Sequence, residues 1–151
     1  MIREATQNDF DEWLRMREQL YPECNSQLLL AEIEKIFSKR TILGELDYHI
    51  LVYENEDNKL SGFIETSIRK ELPGYQNSPV GYIESLYVDP THRRKGIAKQ
   101  LVAFSEEWIK SQKYQHLFVD TDPRYTEAID FYKSIGFKEV GFNEREIILT
   151  R

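Results

Sequence analysis

One stretch constrains this chain more than any other, because the hydrophobic period changes inside it. Tyr82-Ile83-Glu84-Ser85-Leu86-Tyr87-Val88-Asp89-Pro90 is rich in aromatic and β-branched residues and closes on Asp-Pro, which predicts a strand. From Arg94 onward, Ile97, Leu101, Phe104, Trp108 and Ile109 recur at helical spacing, with Lys99, Gln100, Glu106 and Glu107 between them. A strand therefore runs through a basic, glycine-containing turn into the first turn of a helix. The first amides of a helix lack intrahelical partners and sit at the positive end of its dipole, so such a turn attracts phosphate. Gly96 and Ala98 keep bulk away from the backbone, and Arg93, Arg94 and Lys95 add charge. The spacing Arg-x-x-Gly-x-Ala lacks the Gly-Lys-Ser/Thr ending of a nucleoside-triphosphate loop and the three glycines of a dinucleotide fingerprint. Taken alone, basic residues at a helix start are often merely solvated.

The flanking segments fit one α/β domain over residues 1–151. Ile2 to Ala5 reads as an edge strand. Thr6 or Asn8 then caps a helix carrying Phe10, Trp13, Leu14, Arg17 and Leu20, which ends before Pro22. Asn25 or Ser26 caps a second helix with Leu28, Leu29, Ile33, Ile36 and Phe37 on its apolar face, and Gly44 marks its exit. Tyr48 to Glu54 and Leu60 to Ile68 flank the polar turn Asn55-Glu56-Asp57-Asn58 and predict a hairpin. Residues 70–79 form the longest irregular segment, of the kind that often lines a binding site. Gln115 to Asp120 is near-continuously apolar, as suits a strand between parallel neighbours. Pro123 opens a helix that Gly136 ends, and Lys138 to Phe142 with Glu146 to Leu149 make a closing hairpin.

Charge and composition exclude several classes. A net charge of −6 argues against DNA or an anionic membrane as the main partner. No apolar run is long enough for a membrane span, and no secretory signal opens the chain. A single cysteine, Cys24, gives no intramolecular disulfide, consistent with a reducing, cytoplasmic setting. The histidines His49, His92 and His116 show no metal-ligand spacing, so no metal is expected.

Two separated motifs in the right order are more specific than either alone. Val88-Asp89-Pro90 followed by Arg93 to Ala98, and later Ala128-Ile129-Asp130-Phe131-Tyr132-Lys133-Ser134-Ile135-Gly136-Phe137, resemble the signatures of the GNAT superfamily of N-acetyltransferases. The resemblance implies a single-domain α/β (α+β) fold: a mixed, mostly antiparallel sheet with splayed central strands and about four helices. It also implies acetyl-coenzyme A as cosubstrate. Backbone groups around Leu86, Tyr87 and Val88 would pair with the pantetheine arm. The turn Arg93, Arg94, Lys95, Gly96, Ile97, Ala98 and Lys99 would hold the pyrophosphate. The family often has Asn three residues before the motif alanine; here that position is Tyr125.

Acetyl transfer to an amine needs a base, oxyanion stabilisation and an acid for the leaving thiolate. Deprotonating an alkylammonium of pKa about 10.4 at pH 7 costs roughly 4–5 kcal/mol, so a base or water relay is useful. Tyr132 matches the family tyrosine and is the candidate acid; its alternative is a core aromatic. Glu84, a charge inside an apolar strand, is the candidate base or water-holder; its alternative is a carboxylate paired with an arginine. Asp120 and Asp122 end the next strand, where ligands of open α/β sheets sit, although Asp122 also suits a helix cap ahead of Pro123.

A narrower resemblance appears upstream. Trp13-Leu14-Arg15-Met16-Arg17 with Leu20-Tyr21-Pro22, Gly62 to Arg69, and Ser78 to Val88 together look like aminoglycoside 6'-N-acetyltransferases. By position, Tyr21, Glu65, Tyr75, Glu84 and Asp120 would then line the acceptor site. Residues 1–75 carry 15 acidic against 9 basic residues, which suits a small cationic amine there, though acidic surfaces also simply aid solubility. A polyamine, a protein or peptide amine, and a catalytically silent acetyl-coenzyme A-binding module remain as alternatives. The resemblance leaves room for a homodimer.

Overall fold

A computed structural model of the chain describes residues 1–41, 48–70, 72, 79–142 and 147–151. In chain order the elements are β1 (Ile2–Glu4), α1 (Phe10–Leu20), α2 (Ser26–Thr41), β2 (Tyr48–Glu54), β3 (Leu60–Arg69) and β4 (Val80–Val88). There follow α3 (Ile97–Ser111), β5 (Leu117–Thr121), α4 (Thr126–Ser134), β6 (Lys138–Phe142) and β7 (Ile147–Thr150). The described strands form one sheet of 7 in the order β1-β2-β3-β4-β5-β7-β6. Every pairing is antiparallel except that of β4 with β5.

Apolar side chains at helical and strand periods divide the core between the two faces. Trp13, Met16, Ile33 and Ile36 of α1 and α2 pack on Ile50, Val52 and Phe63. On the other face Ile97, Leu101, Ile109, Tyr132 and Phe137 pack on Ile64, Ile83 and Val119. A side chain at Gly81 would place its Cβ 2.4 Å from Ile109 Cδ1, so the glycine lets α3 lie directly on β4.

Several local details differ from the sequence reading. Asn25 caps α2, its Oδ1 accepting from the Gln27 and Leu28 amides at 2.8 and 3.3 Å. Leu28 and Phe104, assigned to apolar faces, are 65% and 47% exposed. Strand β5 lies between a parallel and an antiparallel neighbour rather than two parallel ones. Helix α4 begins at Thr126, not Pro123: the Tyr125 amide bonds the Asp122 carbonyl, making Asp122–Tyr125 a turn with proline at its second position. Gly44, Tyr75, residues 143–146 and residues 71 and 73–78 of the 70–79 segment lie outside the described residues.

Two irregularities in the central strands set the shape of the sheet around Glu84. The β3–β4 register runs Glu65↔Ser85 and then Thr66↔Ile83, so Glu84 is an extra residue, a β-bulge. The parallel β4–β5 ladder covers only Gly81 to Ile83 against Leu117 to Val119, and beyond that point the two strands share no ladder.

Candidate active site

The bulge and the short ladder together decide which groups face the gap between β4 and β5. Backbone groups along a strand alternate sides. The Gly81 amide bonds the His116 carbonyl on the β5 side, whereas beyond the bulge the Asp89 amide bonds Ser61 on the β3 side. Val88 and Leu86 therefore direct their backbone groups into the gap. Without the extra residue, Ser85 and Tyr87 would do so instead. Arg93 reaches back from the turn, its Nε donating to the Val88 carbonyl at 2.8 Å, so this arginine also braces the end of β4.

The turn has the properties of an anion site. Arg94 and Gly96 are left-handed, with φ of 63° and 79°, and the first amide to bond back within α3 is that of Gln100, to the Gly96 carbonyl. The amides of Ile97, Ala98 and Lys99 thus lack intrahelical partners, and no acidic residue occupies the first turn. Arg94 and Lys95 are exposed beside them. No protein atom lies within 4 Å of where a Gly96 Cβ would be, and the positive φ is a reason for glycine there besides room for a ligand.

Two clefts meet over the bulge. A groove of about 460 Å³ is lined by Tyr21, Ile83, Glu84, Ser85, Leu86, Asp120, Asp122, Tyr125 and Tyr132, among others. A second cleft of about 350 Å³ lies under α2 and includes Arg17, Tyr21, Cys24, Glu32, Lys35, Glu65, Glu84 and Ser85. Tyr21, Glu84 and Ser85 belong to both. The bulge puts Glu84 and Ser85, neighbours in sequence, on this one face, and the Tyr21 hydroxyl holds Ser85 Oγ at 2.5 Å.

Tyr132 is 6% exposed, lines the groove, and forms no side-chain hydrogen bond among the described residues. Burial, chiefly, pushes its hydroxyl pKa up, so the phenol stays protonated at neutral pH. Glu84 is not a free carboxylate: Oε1 accepts from Ser67 Oγ at 2.6 Å and from Arg69 Nε at 2.9 Å, and Oε2 accepts from Arg69 Nη2 at 2.8 Å. Glu65 is fully buried and receives Trp13 Nε1 at 2.9 Å and Arg17 Nε at 3.0 Å. Burial pushes its carboxyl up, while the Arg17 charge and the Trp13 and Arg17 bonds oppose that and hold the pair together. Arg17 links it to the cleft rim, its Nη1 also donating to Glu32 at 2.7 Å. Asp120 accepts from the Tyr82 hydroxyl and forms no ion pair among the described residues. Asp122 accepts from its neighbour Arg124, through both the amide and the guanidinium, so it stabilises the turn before α4 and does not cap the helix.

Sequence reasoning missed Glu32, Arg69 and Tyr82 and placed Arg17 on an apolar face. Arg17 carried a readable signal: it shares a helix face with Trp13, four residues before it, and an arginine buried there needs a carboxylate partner such as Glu65. Among the described residues, no group of acidic, histidine or cysteine side chains is placed to hold a metal, and no helix is long and apolar enough to cross a membrane.

An open strand edge thus leads to free helix amides, beside a buried phenol and a cleft lined by carboxylates. Residues 9–137 match the acetyltransferase (GNAT) family, and the chain belongs to it. Aminoglycoside N(6')-acetyltransferase type 1 of Salmonella typhimurium is 30% identical over 139 residues, covering 91% of each chain. The apo crystal structure of aminoglycoside antibiotic 6'-N-acetyltransferase AAC(6')-IG from Acinetobacter haemolyticus has a TM-score of 0.82 at 27% identity, covering 96% of this chain and 98% of that one. AAC(6')-Iy in complex with the bisubstrate analog CoA-S-monomethyl-acetylneamine has a TM-score of 0.81 at 27% identity, with 96% and 97% covered.

Proposed function

We propose that the protein is a cytoplasmic enzyme, a single domain over residues 1–151, that acetylates the 6'-amine of aminoglycosides by direct, sequential transfer. The observation that carries this reading is the junction at Tyr21, Glu84 and Ser85, where the cleft under α2 opens onto the gap between β4 and β5. The likeness to aminoglycoside N(6')-acetyltransferase type 1 over 91% of the chain supports the acceptor class.

The open edge at Leu86 and Val88 and the amides of Ile97 to Lys99 fit acetyl-coenzyme A, the first for the pantetheine arm and the second for the pyrophosphate. When bound, this cosubstrate supplies an activated thioester carbonyl. Tyr132 keeps its proton at the groove wall, ready for a departing sulfur. Glu84, held by Arg69 and Ser67, orders a water that relays the acceptor's proton out to bulk solvent. Asp120, without an ion-pair partner among the described residues, holds the acceptor's ammonium; Tyr21 orients the ring, and Glu65 with Arg17 and Glu32 forms the cleft wall. No covalent enzyme intermediate is needed, so initial rates should give a sequential pattern and no acetylated enzyme.

Thiol release measured with a 6'-amino aminoglycoside, spermidine and a lysine peptide tests the acceptor class. Greatest kcat/KM on the aminoglycoside is expected. Preference for spermidine or the peptide would overturn the acceptor while keeping the acetyltransferase, and release with none would favour a silent binding module.

A further inference from the structure

Glu84 and Asp120 both line the groove, on adjacent strands, and carboxylates facing one groove repel one another unless a positive charge offsets them. The structure supplies that charge from outside the groove. Arg69, at the end of β3, lines neither cleft, yet grips both Glu84 oxygens with its guanidinium fork at 2.9 and 2.8 Å. Its Cζ lies 3.6 Å from the centre of the Tyr82 ring, so the guanidinium rests on the phenol face. Tyr82 is 2% exposed, packed with Val80 and Phe118, and its hydroxyl donates to Asp120 Oδ2. Ser67–Glu84–Arg69–Tyr82–Asp120 is thus one continuous polar chain across β3, β4 and β5.

We propose that Arg69 and Tyr82 are positioning residues of the acceptor site: Arg69 aims Glu84, Tyr82 aims Asp120, and the stacked guanidinium ties the two carboxylates into one unit. This rests on the reading of the groove as the place where a cationic amine is acetylated. Neither residue touches the cosubstrate turn at Arg93 to Lys99, so their effect belongs to the amine alone. Burial, chiefly, raises the Tyr82 hydroxyl pKa and keeps it a donor throughout the working range.

Steady-state thiol release with Tyr82→Phe, Arg69→Lys and Arg69→Ala tests it, using whichever amine of the panel the wild type prefers. Tyr82→Phe keeps the ring under Arg69 and removes only the donor to Asp120; kcat/KM for the amine should fall about tenfold, the scale of one hydrogen bond to a charged group, with KM for acetyl-coenzyme A unchanged. Arg69→Ala should lose about a hundredfold, and Arg69→Lys should recover part of that, because an ammonium keeps the charge but not the fork. In the double variant Arg69→Ala/Tyr82→Phe the losses should not add. Wild-type kcat/KM in both Tyr82→Phe and Arg69→Lys would overturn the proposal, as would losses shared equally by the KM for acetyl-coenzyme A. A wild type that acetylates no amine would overturn the reading of the groove, and this proposal with it; an active wild type with unaffected variants overturns the proposal alone.

Discussion

At the scale of single residues, substitution separates cleft-lining groups that chiefly hold the fold from those that chiefly serve the reaction. Arg17 and Glu65 are 4% and 0% exposed, so Arg17→Ala leaves a buried carboxylate without its countercharge. Chemical denaturation should show a loss on the order of 3–5 kcal/mol, which Glu65→Gln in the same chain should partly relieve. Tyr132→Phe should do the reverse: kcat falls about a hundredfold with stability and KM for acetyl-coenzyme A near wild type, and equal turnover would reassign Tyr132 to packing. Asp9 sets a pH dependence. Burial raises its pKa, but the bonds from Arg3 at 2.8 Å and the Thr6 amide at 2.7 Å prevail and lower it. Its contribution is therefore present above the ordinary carboxylate range, about pH 4, and is lost as pH falls through the lowered folded value. Urea denaturation at pH 7 and pH 3 should show a smaller drop in stability for Asp9→Asn than for the wild type.

At the scale of elements, the strand-turn-helix at the centre and the full order of strands and helices were readable from period, turn residues and caps. The bulge was not. The two polar residues Glu84 and Ser85 between Ile83 and Leu86 break the alternation with no glycine or proline to mark a bulge, yet the extra residue decides that Leu86 and Val88 face the gap and that Glu84 and Ser85 share a face. Nor was the partner of Glu84 readable, because Arg69 meets it only through the pairing of β3 with β4. At the turn, glycine was expected for ligand space, and its positive φ adds a conformational reason, which makes a graded test. Gly96→Asn should retain calorimetric binding of coenzyme A better than Gly96→Ala, and Gly96→Val worst of all, since only the first tolerates φ of 79° readily. Equal binding by all three would show that the turn does not hold the pyrophosphate.

At the scale of the molecule, one face of the sheet builds the cleft under α2, the other carries α3 and its free amides, and the opening between β4 and β5 joins them. On the proposed reading, the cosubstrate and the amine would then approach from opposite sides of one strand and meet at the bulge at Glu84. Transfer to a 6'-amine at that point can be measured by thiol release from acetyl-coenzyme A with a matched pair of kanamycin-type aminoglycosides that differ only in carrying amine or hydroxyl at the 6' position. Saturable release with the 6'-amine and none above background with the 6'-hydroxyl is the predicted result; equal release with both would contradict it.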